Sequence, residues 1–230
     1  MKAKIIYIEQ NTKDTKVFTI KLENKFEFVS GQCIKLSIPD VDFSRPYSIS
    51  SPGEKTDEIN LTIKVYSDGT FTKEVDNLKV GDAVKIEGPY GMFTFDGRTS
   101  KNIVLIAGGS GVSTLHSILR FILDNNYKNK VKLLYSSKTP EEIIYKKEIE
   151  TLVKKYPNFD ALLTITNKDD KWKGHKGRLT EAELDVHIED KNSLVYVCGP
   201  LGFVNFIVEK LKNLGIHEEN IKTERYGKEI

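Results

Sequence analysis

Seven residues, Arg45-Pro46-Tyr47-Ser48-Ile49-Ser50-Ser51, bring a cation, a flat aromatic ring and several hydroxyls together in the chain. A bound flavin nucleotide asks for that set: positive charge for its phosphate, a π-face for its ring, and a short polar donor for the ring nitrogens. Arginine is used sparingly. Only Arg45, Arg98, Arg120, Arg178 and Arg225 occur among 35 basic residues, so an arginine at 45 points to a need for its fork geometry. Read alone, the same residues also describe an alternating surface strand that ends in a turn.

Three glycine-bearing segments add further chemistry. Gly69-Thr70-Phe71-Thr72 opens a short helical stretch; a helix N-terminus suits a diphosphate, and plain capping after a turn at Asp68-Gly69 uses the same residues. Gly108-Gly109-Ser110-Gly111 follows an apolar run and leads into a helical pattern. In that context a glycine loop cradles a dinucleotide pyrophosphate, although many α/β proteins use one simply as a turn. Cys198-Gly199-Pro200 follows another apolar run, where a free cysteine is commonly a small buried apolar group. His116, His175, His187 and His217 lack metal-ligand spacing. None is placed by sequence to activate Cys198, so the thiol is not read as a nucleophile.

The elements that must position these residues fall into two kinds. Residues 5–8, 17–22, 33–38, 59–65 and 83–87 alternate or are rich in β-branched side chains, with turn residues between. They predict short strands of a small antiparallel barrel, interrupted by one helix near 72–78. From about residue 98 the pattern changes. Apolar runs at 103–107, 131–135, 161–166 and 194–198 alternate with helical patterns at 112–124, 141–155 and 203–214, the last stopped by Gly215. Such alternation predicts a parallel sheet covered on both faces. The expected organisation is therefore an N-terminal antiparallel β-barrel domain over 1–98 and a C-terminal α/β parallel-sheet nucleotide-binding domain over 99–230.

Composition narrows the class. The net charge of +2 offers no footprint for nucleic acid or a membrane. Glu9 cuts off the apolar start of the chain, which reads against a signal peptide, and no stretch reaches membrane-spanning length. A cytoplasmic location is the expectation. Two cysteines, Cys33 and Cys198, cannot supply the four thiolates of an iron–sulfur cluster. Any one-electron partner of that kind must be a separate chain, and no metal site is expected.

Taken in order, and with Gly88-Pro89-Tyr90-Gly91 and Glu224-Arg225-Tyr226 added, these motifs resemble the ferredoxin–NADP reductase superfamily of flavoprotein reductases over nearly the whole chain. The resemblance implies FAD, with FMN as the lesser alternative, held by Arg45, Tyr47, Ser48, Ser51, Lys64, Gly69, Thr70, Phe71 and Thr72. Ser48 would hydrogen-bond near the flavin atom that accepts hydride. Gly88 to Phe93 would link the domains. NAD(P)H would lie on Gly108, Gly109, Ser110, Gly111, Val112, Ser137, Lys138, Gly199 and Pro200. Cys198 and Glu224 would stand beside the nicotinamide, and Tyr226 would cover the flavin or pin the chain end. Thr114 departs from the proline usual in the family's loop. Lys138, in a loop without an acidic residue, leans the coenzyme toward NADPH, whereas Asn167-Lys168 stands where NADPH-preferring members often carry Ser-Arg.

The implied activity is a reductase that moves hydride from NAD(P)H to FAD, then electrons to a separate acceptor such as ferredoxin or an oxygenase component. An alternative is a flavin-bearing electron-transfer subunit active only within a larger complex. A direct, flavin-free dehydrogenase lacks a candidate acid–base group in the N-terminal half.

Overall fold

A computed structural model describes residues 1–227, which form two compact units. The first is Met1–Asp96 with His116–Phe121; the second is Gly97–Leu115 with residues 122–227.

The first unit is built on six antiparallel strands: β1 (Lys2–Thr12), β2 (Thr15–Glu27), β3 (Cys33–Ser37), β4 (Ser44–Ser48), β5 (Lys55–Lys64) and β6 (Ala83–Tyr90). Their order in the sheet is β4-β3-β6-β1-β2-β5. A bridge between Ile49 and Leu61, with Ser50 N donating to Asn60 O at 2.8 Å, joins the two ends and closes the barrel. The two-residue period does the work. Ile5 pairs with Ile20, Ile20 with Ile59, and Phe18 with Leu61, all buried. Helix α1 (Thr70–Asn77) adds Phe71 and Val75 to that core. Gly88, Pro89 and Tyr90 complete β6, and Tyr90 is in register with Cys33. Gly88 to Tyr90 are thus part of the barrel sheet, and Gly91 to Phe93 follow it.

The second unit carries β7 (Ile103–Gly108), the two ends of α2 (Val112–Asp124), whose His116–Phe121 belong to the first unit, β8 (Val131–Ser137), α3 (Lys146–Lys155), β9 (Phe159–Ile165), β10 (His175–Lys176), α4 (Glu181–His187), β11 (Leu194–Pro200), α5 (Leu201–Asn213) and β12 (Ile221–Tyr226). The strands are all parallel, in the order β10-β9-β8-β7-β11-β12. β7 is buried along its whole length, as expected of a central strand covered on both faces. The helix expected over 141–155 is interrupted. A 3-10 turn at Pro140–Glu142 is followed by buried Ile143, Ile144 and Tyr145, and Tyr145 takes a left-handed φ of 60° before α3 begins. Burying three consecutive side chains is incompatible with one amphipathic face. Among the described residues no helix is long and apolar enough to cross a membrane.

Candidate functional site

In the first unit the flavin-type residues gather around β4 and α1. Tyr47 stacks near Phe71, with ring centroids 6.0 Å apart and planes 29° from parallel. Burial, only partly opposed by the Arg45 charge, pushes the Tyr47 phenol up to about 12. It therefore stays protonated and presents a neutral ring face. Arg45 is exposed; its Cζ lies 4.9 Å from the Phe43 ring centroid, and Nη1 donates to Ser44 O at 3.2 Å. An exposed guanidinium backed by an aromatic ring is available to an anion. Ser48 is half-buried at the end of β4, opposite Cys33.

Helix α1 opens from Gly69 with no side-chain cap, so its first N–H groups take no side-chain acceptor of the capping kind. The alternative of plain side-chain capping is not what the structure adopts. A Cβ on Gly69 would collide with Thr72 Oγ1, which itself accepts from Tyr66 N at 3.3 Å. Thr70 is exposed on the first turn, while Phe71 is core. Two expected residues are engaged elsewhere. Lys64 pairs with Asp14 at 3.1 Å, and Ser51 Oγ accepts from Asn60 N at 3.1 Å.

In the second unit the chain runs β7, β8, β9 to one side and then returns to lay β11 and β12 on the other. The carboxyl ends of β7 and β11 are therefore neighbours, with Ala107 in register with Cys198. Open parallel sheets bind ligands at such a reversal of strand order. The glycine loop stands there. Gly108 ends β7, Gly109 to Gly111 form a 3-10 turn, and buried Val112 starts α2. Gly109 has φ +55°, and Gly111 lies so close to β11 that a Cβ would meet the Cys198 carbonyl group. Ser110 O accepts from Ser113 Oγ at 2.8 Å. Gly199 is buried and Pro200 exposed at the start of α5.

Tyr226 reaches this loop. Its hydroxyl donates to Gly108 O at 2.7 Å and accepts from Gly111 N at 3.1 Å. Beside it, Glu224 is in register with Cys198. Thr114 Oγ1 donates to Glu224 Oε2 at 3.0 Å, and Cys198 Sγ lies 3.7 Å from the same oxygen and 3.8 Å from Thr114 Oγ1. Burial, then the Glu224 charge, pushes the Cys198 thiol well above its ordinary range. It stays a thiol, as a pocket wall requires and a nucleophile does not. The sequence singled out Cys198 and Glu224. It showed Thr114 only as a departure from a family pattern, with nothing to mark its hydroxyl as their partner.

At the end of β8, Ser137 Oγ is buried and has no hydrogen-bond partner among the described residues. An orphaned hydroxyl at a strand's carboxyl end fits a ligand that supplies the missing bond. Lys138 is exposed next to it, its carbonyl accepting from Asn167 N at 2.9 Å. A cavity of about 510 Å³ nearby in the chain is lined by Thr139, Glu141, Lys168, Asp169, Asp170 and Lys171, with Asn167. Among the described residues no three His, Cys, Asp or Glu side chains converge as a metal ion requires.

Comparison with known proteins agrees with both halves. Residues 2–95 match the oxidoreductase FAD-binding domain, and residues 105–209 the oxidoreductase NAD-binding domain. NADH-cytochrome b5 reductase 2 of Candida albicans is 31% identical over 241 residues, covering 95% of this chain and 80% of that protein. The reductase component of phenol 2-monooxygenase from Pseudomonas sp. (strain CF600) is 30% identical over 212 residues. That match covers 90% of this chain, and the chain spans only 60% of the Pseudomonas protein. Among solved structures, the CS-b5R domains of human Ncb5or in the NAD+ form superpose with a TM-score of 0.88 at 27% identity, covering 97% of this chain and 68% of that one.

Proposed function

Because the chain belongs to the ferredoxin–NADP reductase superfamily of FAD- and NAD-binding oxidoreductases, we propose that it draws hydride from NADH into FAD and passes electrons to a separate protein acceptor. The observation that carries this reading is that each unit offers its own backbone site for dinucleotide phosphates. One is the uncapped start of α1 after Gly69; the other is the Gly109 to Gly111 turn at the strand-order reversal.

Hydride acceptance and its onward release as single electrons are the chemistry that FAD supplies when bound. The chain's residues bind and orient. Arg45 neutralises a phosphate, and Tyr47 gives an uncharged ring face. Ser48 offers a hydroxyl to the ring nitrogens. Thr70, Phe71 and Thr72 present the opening N–H groups of α1, and Gly69, whose own N–H donates to Tyr66 O at 3.0 Å, lets the backbone approach without a Cβ. In the second unit the glycine loop takes the pyrophosphate, and Ser137 meets the ribose. The Cys198 thiol walls the nicotinamide pocket against water while Glu224 accepts hydrogen bonds at its rim.

The coenzyme reading turns from NADPH to NADH. Lys138 favours a 2′-phosphate, but the neighbouring cavity is lined by three carboxylates, Glu141, Asp169 and Asp170, against two lysines, Lys168 and Lys171. Carboxylates suit a free ribose hydroxyl and repel a phosphate. The Candida relative's name, an NADH-dependent one, supports the same choice. For the acceptor, the Pseudomonas relative is the reductase component of a phenol 2-monooxygenase, which supports an oxygenase component. A subunit role within a larger assembly is the second reading, supported by the name of that relative as one component of a monooxygenase.

The visible spectrum of the purified protein tests the core claim, and acid-released cofactor identifies it by mass. Bleaching by NADH at far lower concentration than by NADPH, with no partner added, is the expected result. A colourless protein that takes up no FAD on reconstitution refutes the reading. Bleaching only in the presence of a partner chain moves the conclusion to the second reading.

A further inference from the structure

Thr114 is the third residue of α2 and is only 2% exposed, yet its side chain is a hydroxyl turned to a carboxylate from another element. Three elements converge here: α2 brings Thr114, β11 brings Cys198 and β12 brings Glu224. We propose that Thr114 is a positioning residue of the nicotinamide pocket, its hydroxyl fixing the Glu224 carboxylate against the Cys198 thiol. This rests on the reading of that pocket as the nicotinamide site.

The direction of each hydrogen bond carries the argument. A carboxylate only accepts. The Thr114 hydroxyl donates to Glu224 Oε2 at 3.0 Å, and its oxygen lies 3.8 Å from Cys198 Sγ. The single Cys198 proton then finds Thr114 Oγ1 and Glu224 Oε2, at 3.8 and 3.7 Å. Both donors converge on one oxygen, so the carboxylate is held in one rotamer with Oε2 turned inward. Of these two contacts the hydroxyl is the stronger, because an O–H donor to a carboxylate oxygen outweighs a weak thiol donor. Removing the hydroxyl therefore loosens the carboxylate even though Cys198 remains. A loosened carboxylate no longer meets a bound ring in the same place, and misplacement of about 1 Å costs up to a hundredfold in rate.

The test uses the FAD-loaded protein on a Cys33→Ser background, so that Cys198 is the sole thiol. Two quantities are read in Thr114→Val, Thr114→Ser and Glu224→Gln. One is the infrared S–H stretching band. The other is the rate of flavin reduction by NADH in stopped flow, as its saturating value and its half-saturating concentration. In Thr114→Val the band should move to higher frequency and broaden, because its carboxylate acceptor is loosened. The saturating rate should fall by roughly tenfold to a hundredfold, with a smaller change in half-saturation. Thr114→Ser, which keeps the hydroxyl, should restore both. If valine crowds the helix and the fold is lost, Thr114→Ala is measured in its place.

A parent band and parent rate in Thr114→Val overturn the proposal. So does equal impairment in the valine and serine variants, which would mark Thr114 as packing alone. If Glu224→Gln slows reduction and Thr114→Val does not, the pocket assignment stands and Thr114 is not its positioning residue. If both variants move the band while neither changes reduction or NADH binding, the pocket assignment itself fails, and the proposal with it.

Discussion

Replacing Gly111 by Ala should damage the second unit while sparing the first. The added Cβ would fall 2.6 Å from the Cys198 carbonyl carbon and 2.9 Å from Gly199 N, with the Cys198 oxygen closer still. These are backbone atoms of β11, a strand hydrogen-bonded on both sides by β7 and β12, so no side chain can swing away. Ordinary contact requires the loop or the strand to move by about 1 Å, and overpacking of this kind costs typically 1–3 kcal/mol. We take the upper end, about 3 kcal/mol, because the neighbour is a paired central strand. For a chain of this size that lowers the thermal midpoint by roughly 6–12 °C. Gly202→Ala is the matched control. Nothing lies within 4 Å of its added Cβ, and Gly202 sits in α5, so it should be neutral or stabilise by up to about 1 kcal/mol. Scanning calorimetry of both variants, with FAD content measured alongside, reads the result. An unchanged midpoint in Gly111→Ala would show that the close approach to β11 does not exist. Loss of FAD with intact NADH binding would show that the loop serves the other cofactor.

Arg45→Ala should weaken FAD retention about tenfold to a hundredfold, the loss of one charge-assisted phosphate contact. Because Arg45 is exposed and touches only Phe43 and Ser44 in the described contacts, unfolding of the apoprotein should shift by less than about 0.5 kcal/mol; flavin affinity at the parent value refutes the assignment. His187 titrates below its ordinary 6.5 because of burial, then the Lys132 charge, against the pull of Asp160 and Glu183. The unfolded chain thus takes the proton first as pH falls, and stability present above about 6.5 drains toward the lower folded value. Urea unfolding of His187→Gln should lose less stability between pH 7 and 5 than the parent, and an identical pH slope excludes this residue as the cause. Iodoacetamide at pH 8 should label Cys33, which is partly exposed, and leave Cys198 unmodified, since burial and Glu224 hold the latter as a thiol; a mass spectrum showing equal labelling refutes the buried pocket wall.

Much of this arrangement is legible in the residues themselves. The barrel strands alternate because one face is core, and β7, β8 and β11 are continuous apolar runs because both faces are covered. Tyr47, the glycine loop and Cys198 are all found from residue type and context. Other parts leave a weaker trace. β12 is an edge strand of mostly half-buried residues without alternation, so periodicity passes over it. α4 buries only Leu184, although Thr180 and Glu183 form a capping box that spacing alone announces. β4 contains Pro46, which weakens its strand signal, and its place in the sheet is seen only from its pairing with β3. Register is the missing information at the site. Nothing in the chain says that Thr114 shares one end of a sheet with Cys198 and Glu224. The engagement of Lys64 by Asp14 likewise depends on a hairpin contact that motif matching does not register.

The resting place of Gly111 against Cys198 has a consequence for the order of folding. The loop and the strand that shapes it are about 90 residues apart in the chain, and such distant partners meet late, after a large loss of chain entropy. β7 and α2 are local neighbours and can form early, but the turn between them gains its backing only when β11 docks beside β7. A nascent or truncated chain that stops before residue 194 therefore carries the whole glycine motif without a pocket. Nucleotide affinity should emerge in a single step with the last central strand during synthesis or refolding, which makes it a sharper reporter of complete assembly than helix content or the appearance of β7 itself.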